Sequence, residues 1–122
     1  MDAGTMIRTA VVLFALAGAG GLVMAAVRFS GRPHPPTWLA MLHGFISAAA
    51  LTLLLYVAIV VGLPGMAWLA IALLVLAAGG GVLMNLKYHW AHQALPVPLV
   101  LVHAGLAVLA LALLFVSAWN LP

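Results

Sequence analysis

Four apolar runs separated by proline- and glycine-bearing links constrain this chain more than any other feature. They cover about residues 5–27, 36–62, 66–86 and 97–119. Each is close to the ~20 helical residues needed to cross a hydrocarbon layer of about 30 Å. Of the 122 residues, 68% are hydrophobic and 4% charged, and a water-soluble domain of this size has no means of hiding so much apolar surface. The expected fold is an all-α membrane protein: one four-transmembrane-helix bundle over 1–122, with no room for an extramembrane domain.

The links support that division. The segment from Arg28 to Pro36 is polar and rich in proline, so it cannot continue a helix. The turn Gly62-Leu63-Pro64-Gly65 is short and uncharged, which makes the second and third runs an antiparallel hairpin. Lys87 to Gln93 reads as an interfacial link before the last run. Arg8 followed by an apolar stretch also has the look of a secretory leader. That stretch has a partner later in the chain, however, and is read as a span.

The partner lies sixty residues on. Gly20 and Gly21 match Gly80 and Gly81, Met24 matches Met84, Pro36 matches Pro96, and His43 matches His103. The matches at 6, 10, 13, 17, 20 and 24 step by four and three, which traces one seam of a helix. The chain is therefore expected to hold two tandem helical hairpins, about 1–62 and 63–122, related by a pseudo-twofold axis along the membrane normal. Residues 5–62 would then superpose on 65–122 by a rotation near 180°.

The repeat carries its chemistry in two histidines. His43 and His103 each stand seven residues inside a run opened by a proline, about 10 Å along a helix at 1.5 Å per residue. An ionisable ring at that depth is costly unless something holds it. Runs two and four start on one membrane side, so the two rings share a depth and face each other. The ends of runs one and three bring Gly20, Gly21, Gly80, Gly81, Met24 and Met84 toward the same layer, where glycines allow close approach. Ser47, one turn beyond His43, is the expected acceptor for its second ring nitrogen. The matching position in the other half is Ala107, which leaves the two rings unequally supported.

Three readings of this layer stand. In the first, the imidazoles are axial ligands of one haem b, with Arg28, Arg32 or Lys87 meeting its propionates. In the second, His43 and His103 with Met24 and Met84 bind copper, since thioether and imidazole suit Cu(I). In the third, the rings are neutral interhelical hydrogen-bonding partners. His34, His89 and His92 fall in polar links, where histidine is usually solvated, although their grouping leaves room for a second metal or haem site. Asp2 is the sole acidic residue and there is no cysteine. Paired-carboxylate catalysis, carboxylate metal sites, proton antiport through a membrane Glu, disulfides and thiolate chemistry are all excluded.

Lys and Arg gather on the cytoplasmic side of membrane proteins. Arg28 and Arg32 are in the first link and Lys87 in the third, against Arg8 and Asp2 at the other end. Both termini are therefore expected outside, in a bacterial inner membrane, with the histidines toward the cytoplasm.

A four-helix membrane chain with His43 and His103 on runs two and four resembles the four-helix transmembrane cytochromes b, broadly the cytochrome b561-like group. The resemblance implies haem ligation by histidine pairs and electron exchange between quinol and an acceptor. This chain supplies one such pair, since the outer halves of its runs contain no histidine, so one haem is expected rather than a wire of two. In length and span number it also resembles small multidrug transporters, but Phe14, Ala15 and Leu16 stand where those carry a membrane Glu. The expected function is a bis-histidine membrane cytochrome b that exchanges electrons with quinol or a small oxidant such as oxygen or superoxide. A structural or assembly subunit of a larger membrane complex, and a copper-binding membrane protein, are the alternatives. A homo-oligomer is compatible with any of them, and no nucleic-acid partner is expected.

Overall fold

Proline and glycine punctuate the fold as their backbone chemistry requires. The structure, a computed structural model, describes residues 2–120. Met1, Leu121 and Pro122, at the outer ends of the two expected halves, lie outside the described residues. Helix α1 spans Ala3–Phe29, α2 Thr37–Val60, α3 Gly65–Leu83 and α4 Val97–Trp119. Asp2 caps α1 by accepting from the Thr5 amide at 2.8 Å. The other three helices have a proline at the cap position (Pro36, Pro64 and Pro96), where its fixed φ suits helix entry and its missing N–H goes unneeded. Gly31 and Gly62 follow the ends of α1 and α2 with φ of +99° and +85°, the left-handed conformation that ends a helix.

All four helices are long and apolar enough to cross a membrane. They form a bundle in which α1 packs on α2 and α3 on α4, α1 also lies along α4, and α2 meets α3 more lightly. Small residues set the approach. Ala10, Ala50, Ala70 and Ala110 are fully buried, with Ile7, Leu54, Val57 and Leu114 interlocked around them. Hydrocarbon offers no hydrophobic drive for helix pairing, so close van der Waals contact across such residues holds a bundle of this kind. The outward face carries Val12, Leu16, Phe45, Ile59, Val75 and Leu101, a surface suited to lipid chains.

Several buried positions fall sixty residues apart: Ala10 and Ala70, Val11 and Ile71, Phe14 and Leu74, Ala17 and Ala77, Leu54 and Leu114. The halves part company at the end of α3. Residues Met84–His89 continue it as a π-helical turn, with Trp90 N–H donating to Asn85 O at 2.9 Å, five residues back. The helix thus runs past Leu86, because no breaker intervenes before Pro96. A π turn spends an extra residue per turn and shifts the phase of everything beyond it. Its effect is visible at one pair of positions. Phe29 is 52% exposed, while His89, sixty residues on, is 4% exposed.

The two polar links are tied to one another. Arg28 Nε donates to Leu95 O at 2.8 Å, and Leu95 N–H donates to Pro33 O at 3.0 Å. At the other end the Arg8 guanidinium lies 5.8 Å from the ring centre of Trp119, a cation–π contact between the start of α1 and the end of α4.

Candidate functional site: two imidazoles across a central cavity

The site begins with a missing side chain. Four residues after Ala17, on the same face of α1, stands Gly21. With no Cβ there, the Ala17 carbonyl is open to the neighbouring helix, and His43 of α2 donates its Nδ1–H to it at 2.7 Å. A Cβ on Gly21 would sit 3.3 Å from His43 Cε1 and 3.6 Å from Nδ1. The second half repeats the arrangement. His103 Nδ1–H donates to Ala77 O at 2.7 Å, and a Cβ on Gly81 would stand 3.3 Å from His103 Cε1.

These bonds settle the ring chemistry. A carbonyl accepts only, so Nδ1 carries the proton in both residues, and the neutral ring keeps its lone pair on Nε2. A backbone carbonyl behind a histidine also fixes the ring's orientation and raises the basicity of its free nitrogen. Ser47 lines the cavity but is not the acceptor for His43. The expected inequality between the halves is therefore corrected: both rings are held the same way, by main-chain oxygens.

The rings meet although α2 and α4 are diagonal in the bundle. Their centres are 6.1 Å apart with 68° between the planes. Two imidazoles sharing one metal ion through nitrogens at ~2.0–2.1 Å have ring centres roughly 5–6 Å apart, according to the angle between them. Both line a cavity of about 800 Å³ reached by all four helices, within the ~300–1,000 Å³ usual for cofactor and small-molecule sites. Its walls are chiefly alanine, glycine, leucine and methionine.

The other expected site residues divide. Gly21, Gly81, Met24, Met84 and Arg28 line this cavity with the two histidines. Gly20 and Gly80 are one step behind it: a Cβ on Gly20 would lie 3.9 Å from Leu39, and one on Gly80 4.0 Å from His103 Nδ1. Arg32 and Lys87 are exposed and not among the lining residues, and Lys87 Nζ lies 5.6 Å from the Tyr88 ring centre. The structure adds to the lining Asn85, which sequence reasoning passed over, and His89, which it placed in a solvated link. A lone Asn inside an apolar run was a usable signal for the first. His89 had none, because its inward position depends on the π turn.

His89 is not a solvated link residue. It is buried, its Nε2 lies 3.2 Å from Thr37 Oγ1, and its ring centre is 4.9 Å from that of His34. His34 is in turn 5.9 Å from His92. No group of three His, Cys, Asp or Glu side chains among the described residues is arranged to hold a metal ion. Comparison with protein-family models, curated proteins and solved structures gives no match to the chain.

Proposed function

We propose that this chain is an integral membrane b-type cytochrome in which His43 and His103 hold a single haem b. The observation that carries the reading is the pair of inward-facing imidazoles, 6.1 Å apart, each fixed through Nδ1 to a carbonyl oxygen. The residues present fit the group in three respects. The free nitrogen on each ring is the one a metal needs, Gly21 and Gly81 keep the space beside each ring clear, and Arg28 and Asn85 offer N–H donors for propionate carboxylates. A haem held by both imidazoles would supply one-electron exchange rather than activation of a further ligand. The chain's own part is to orient the rings, exclude water with an apolar wall and receive the acidic edge at Arg28. Quinol, or a small oxidant such as oxygen or superoxide, is the partner this chemistry suits.

The same reading includes insertion in a bacterial inner membrane with both termini periplasmic, supported by Arg28, Arg32 and Lys87 at one end of the bundle. It also includes two hairpins related by a twofold axis along the membrane normal, supported by paired contacts such as His43–Ala17 and His103–Ala77.

The test is the reduced-minus-oxidised spectrum of purified protein. A sharp low-spin haem band is expected, abolished by His43→Ala and by His103→Ala and retained in His34→Ala and His92→Ala. Full wild-type occupancy in either buried-histidine variant would overturn the proposal. A colourless protein retaining copper would put Met24 and Met84 with the histidines in its place, and one retaining neither would favour a structural or assembly subunit.

A further inference from the structure

The three histidines outside the central pair form a graded series. His92 is exposed, His34 half-buried, and His89 buried in the wall of the cavity. Consecutive ring centres are 5.9 Å and 4.9 Å apart. The two polar links hold them together, joined by the Leu95–Pro33 bond and the Arg28–Leu95 bond. His92 sits at φ +54°, a left-handed conformation uncommon for a residue with a side chain and kept only where the surroundings over-determine it. At the inner end Thr37 Oγ1 meets His89 Nε2, a hydroxyl able to donate or accept as the ring changes protonation state.

From this placement we infer that His92, His34 and His89 are a proton-exchange ladder between water at the link end and the central cavity. Histidine is the side chain suited to the task, since its ring gains and loses a proton between about pH 5 and 8. Gaps of this size are bridged by a single water or a small ring rotation. The surroundings are basic, so a proton settles on the ladder only when negative charge is added beside it. Arg28 shares the cavity wall, Lys87 and Tyr88 are on the same helical turn as His89, and Arg32 is in the first link. Helices α2 and α4 bring no other titratable groups than His43, Tyr56 and His103. The only carboxylate side chain, Asp2, is at the far end of α1, ~40 Å away at 1.5 Å per residue. No acid is at hand to trap an imidazolium.

The ladder rests on the haem reading for its purpose. Were a haem held by His43 and His103 to take one electron from a hydroquinone-class donor or a poised electrode, the donor would be oxidised and the haem reduced by that electron, and one proton would move inward from bulk water. It would end as an N–H bond on His89, offsetting the added negative charge.

The test uses the full chain in lipid nanodiscs. The haem midpoint potential of the wild type should fall as pH rises through the histidine range, and His89→Gln, which cannot titrate, should flatten that dependence while keeping the haem band. His34→Leu, which removes the middle rung only, should slow the response of the haem spectrum to a pH jump at least tenfold. An unchanged pH dependence in His89→Gln, or an unchanged rate in His34→Leu, would overturn the ladder. Absence of any haem band sinks the haem reading separately. Histidine-selective NMR of the same protein then decides the ladder: His34→Leu must shift the titration of both His89 and His92, and independent titration of the three rings sinks it.

Discussion

His43 donates its Nδ1–H to the carbonyl oxygen of Ala17 at 2.7 Å, in the middle of a helix whose carbonyls are ordinarily covered by the side chain one turn on. The bond exists because that side chain is absent at Gly21. His103 and Ala77 make the same bond beside Gly81, also at 2.7 Å. The glycines are thus part of the site's chemistry as well as its packing.

Substitution at these glycines separates the two roles. Gly21→Leu or Gly81→Leu should displace the adjacent imidazole and lower haem occupancy at least tenfold with the histidine still present. Gly79→Ala meets nothing within 4 Å, so it should leave binding intact and stabilise the helix by ~0.5–1 kcal/mol. Haem titration and thermal unfolding of the three variants check this, and equal binding in Gly81→Leu and Gly79→Ala would refute it.

Arg28 and Arg32 carry the same charge at one end of the bundle, but one is tied down and the other exposed. Arg28→Ala breaks a charged hydrogen bond to Leu95 O, which should cost about 1.5–3 kcal/mol. Arg32 is exposed, and Arg32→Ala should stay within about 0.5 kcal/mol of wild type. Denaturation of the unliganded protein in one detergent compares them directly.

Asp2 gives α1 a pH-sensitive start. The Thr5 amide and then the Thr5 hydroxyl donate to its carboxylate and hold its pKa below the usual 3.8. A depressed carboxylate pKa stabilises the folded first turn above the unfolded value and loses that effect as pH falls through the folded value. Amide exchange at Thr5 and Met6 should therefore quicken as pH falls below about 3.8. Asp2→Asn should show rapid exchange there at neutral pH too, once exchange is corrected for its own pH dependence.

The charge distribution predicts orientation. A periplasm-active reporter fused after Pro122 should be active and a cytoplasm-active one silent, because Arg28, Arg32 and Lys87 outnumber Arg8 at the opposite end. Moving the balance, with Arg28, Arg32 and Lys87 all changed to Gln and lysines added beside Asp2, should invert the pattern. Activity of the cytoplasmic reporter in the unmodified chain would reverse the assignment.

Much of this was legible from the chain because its signals are local. Apolar run length, proline at helix entry and glycine after helix ends determined four helices to within a few residues. Seven-residue spacing from each proline set the depth of His43 and His103, and the sixty-residue echo marked Gly21 and Gly81. Tertiary structure alone decided which groups those histidines hold. The acceptors are carbonyls of Ala17 and Ala77, and a main-chain oxygen has no residue signature; only the approach of α2 to α1 and of α4 to α3 selects it. His89 shows the same limit. Its sequence neighbours read as an interfacial link, yet a π turn shifts the helical phase there, and the ring lies in the cavity wall while Phe29, sixty residues earlier, is exposed. The groups that His89 meets there, Thr37 and His34, are distant in the chain and adjacent only in the folded bundle.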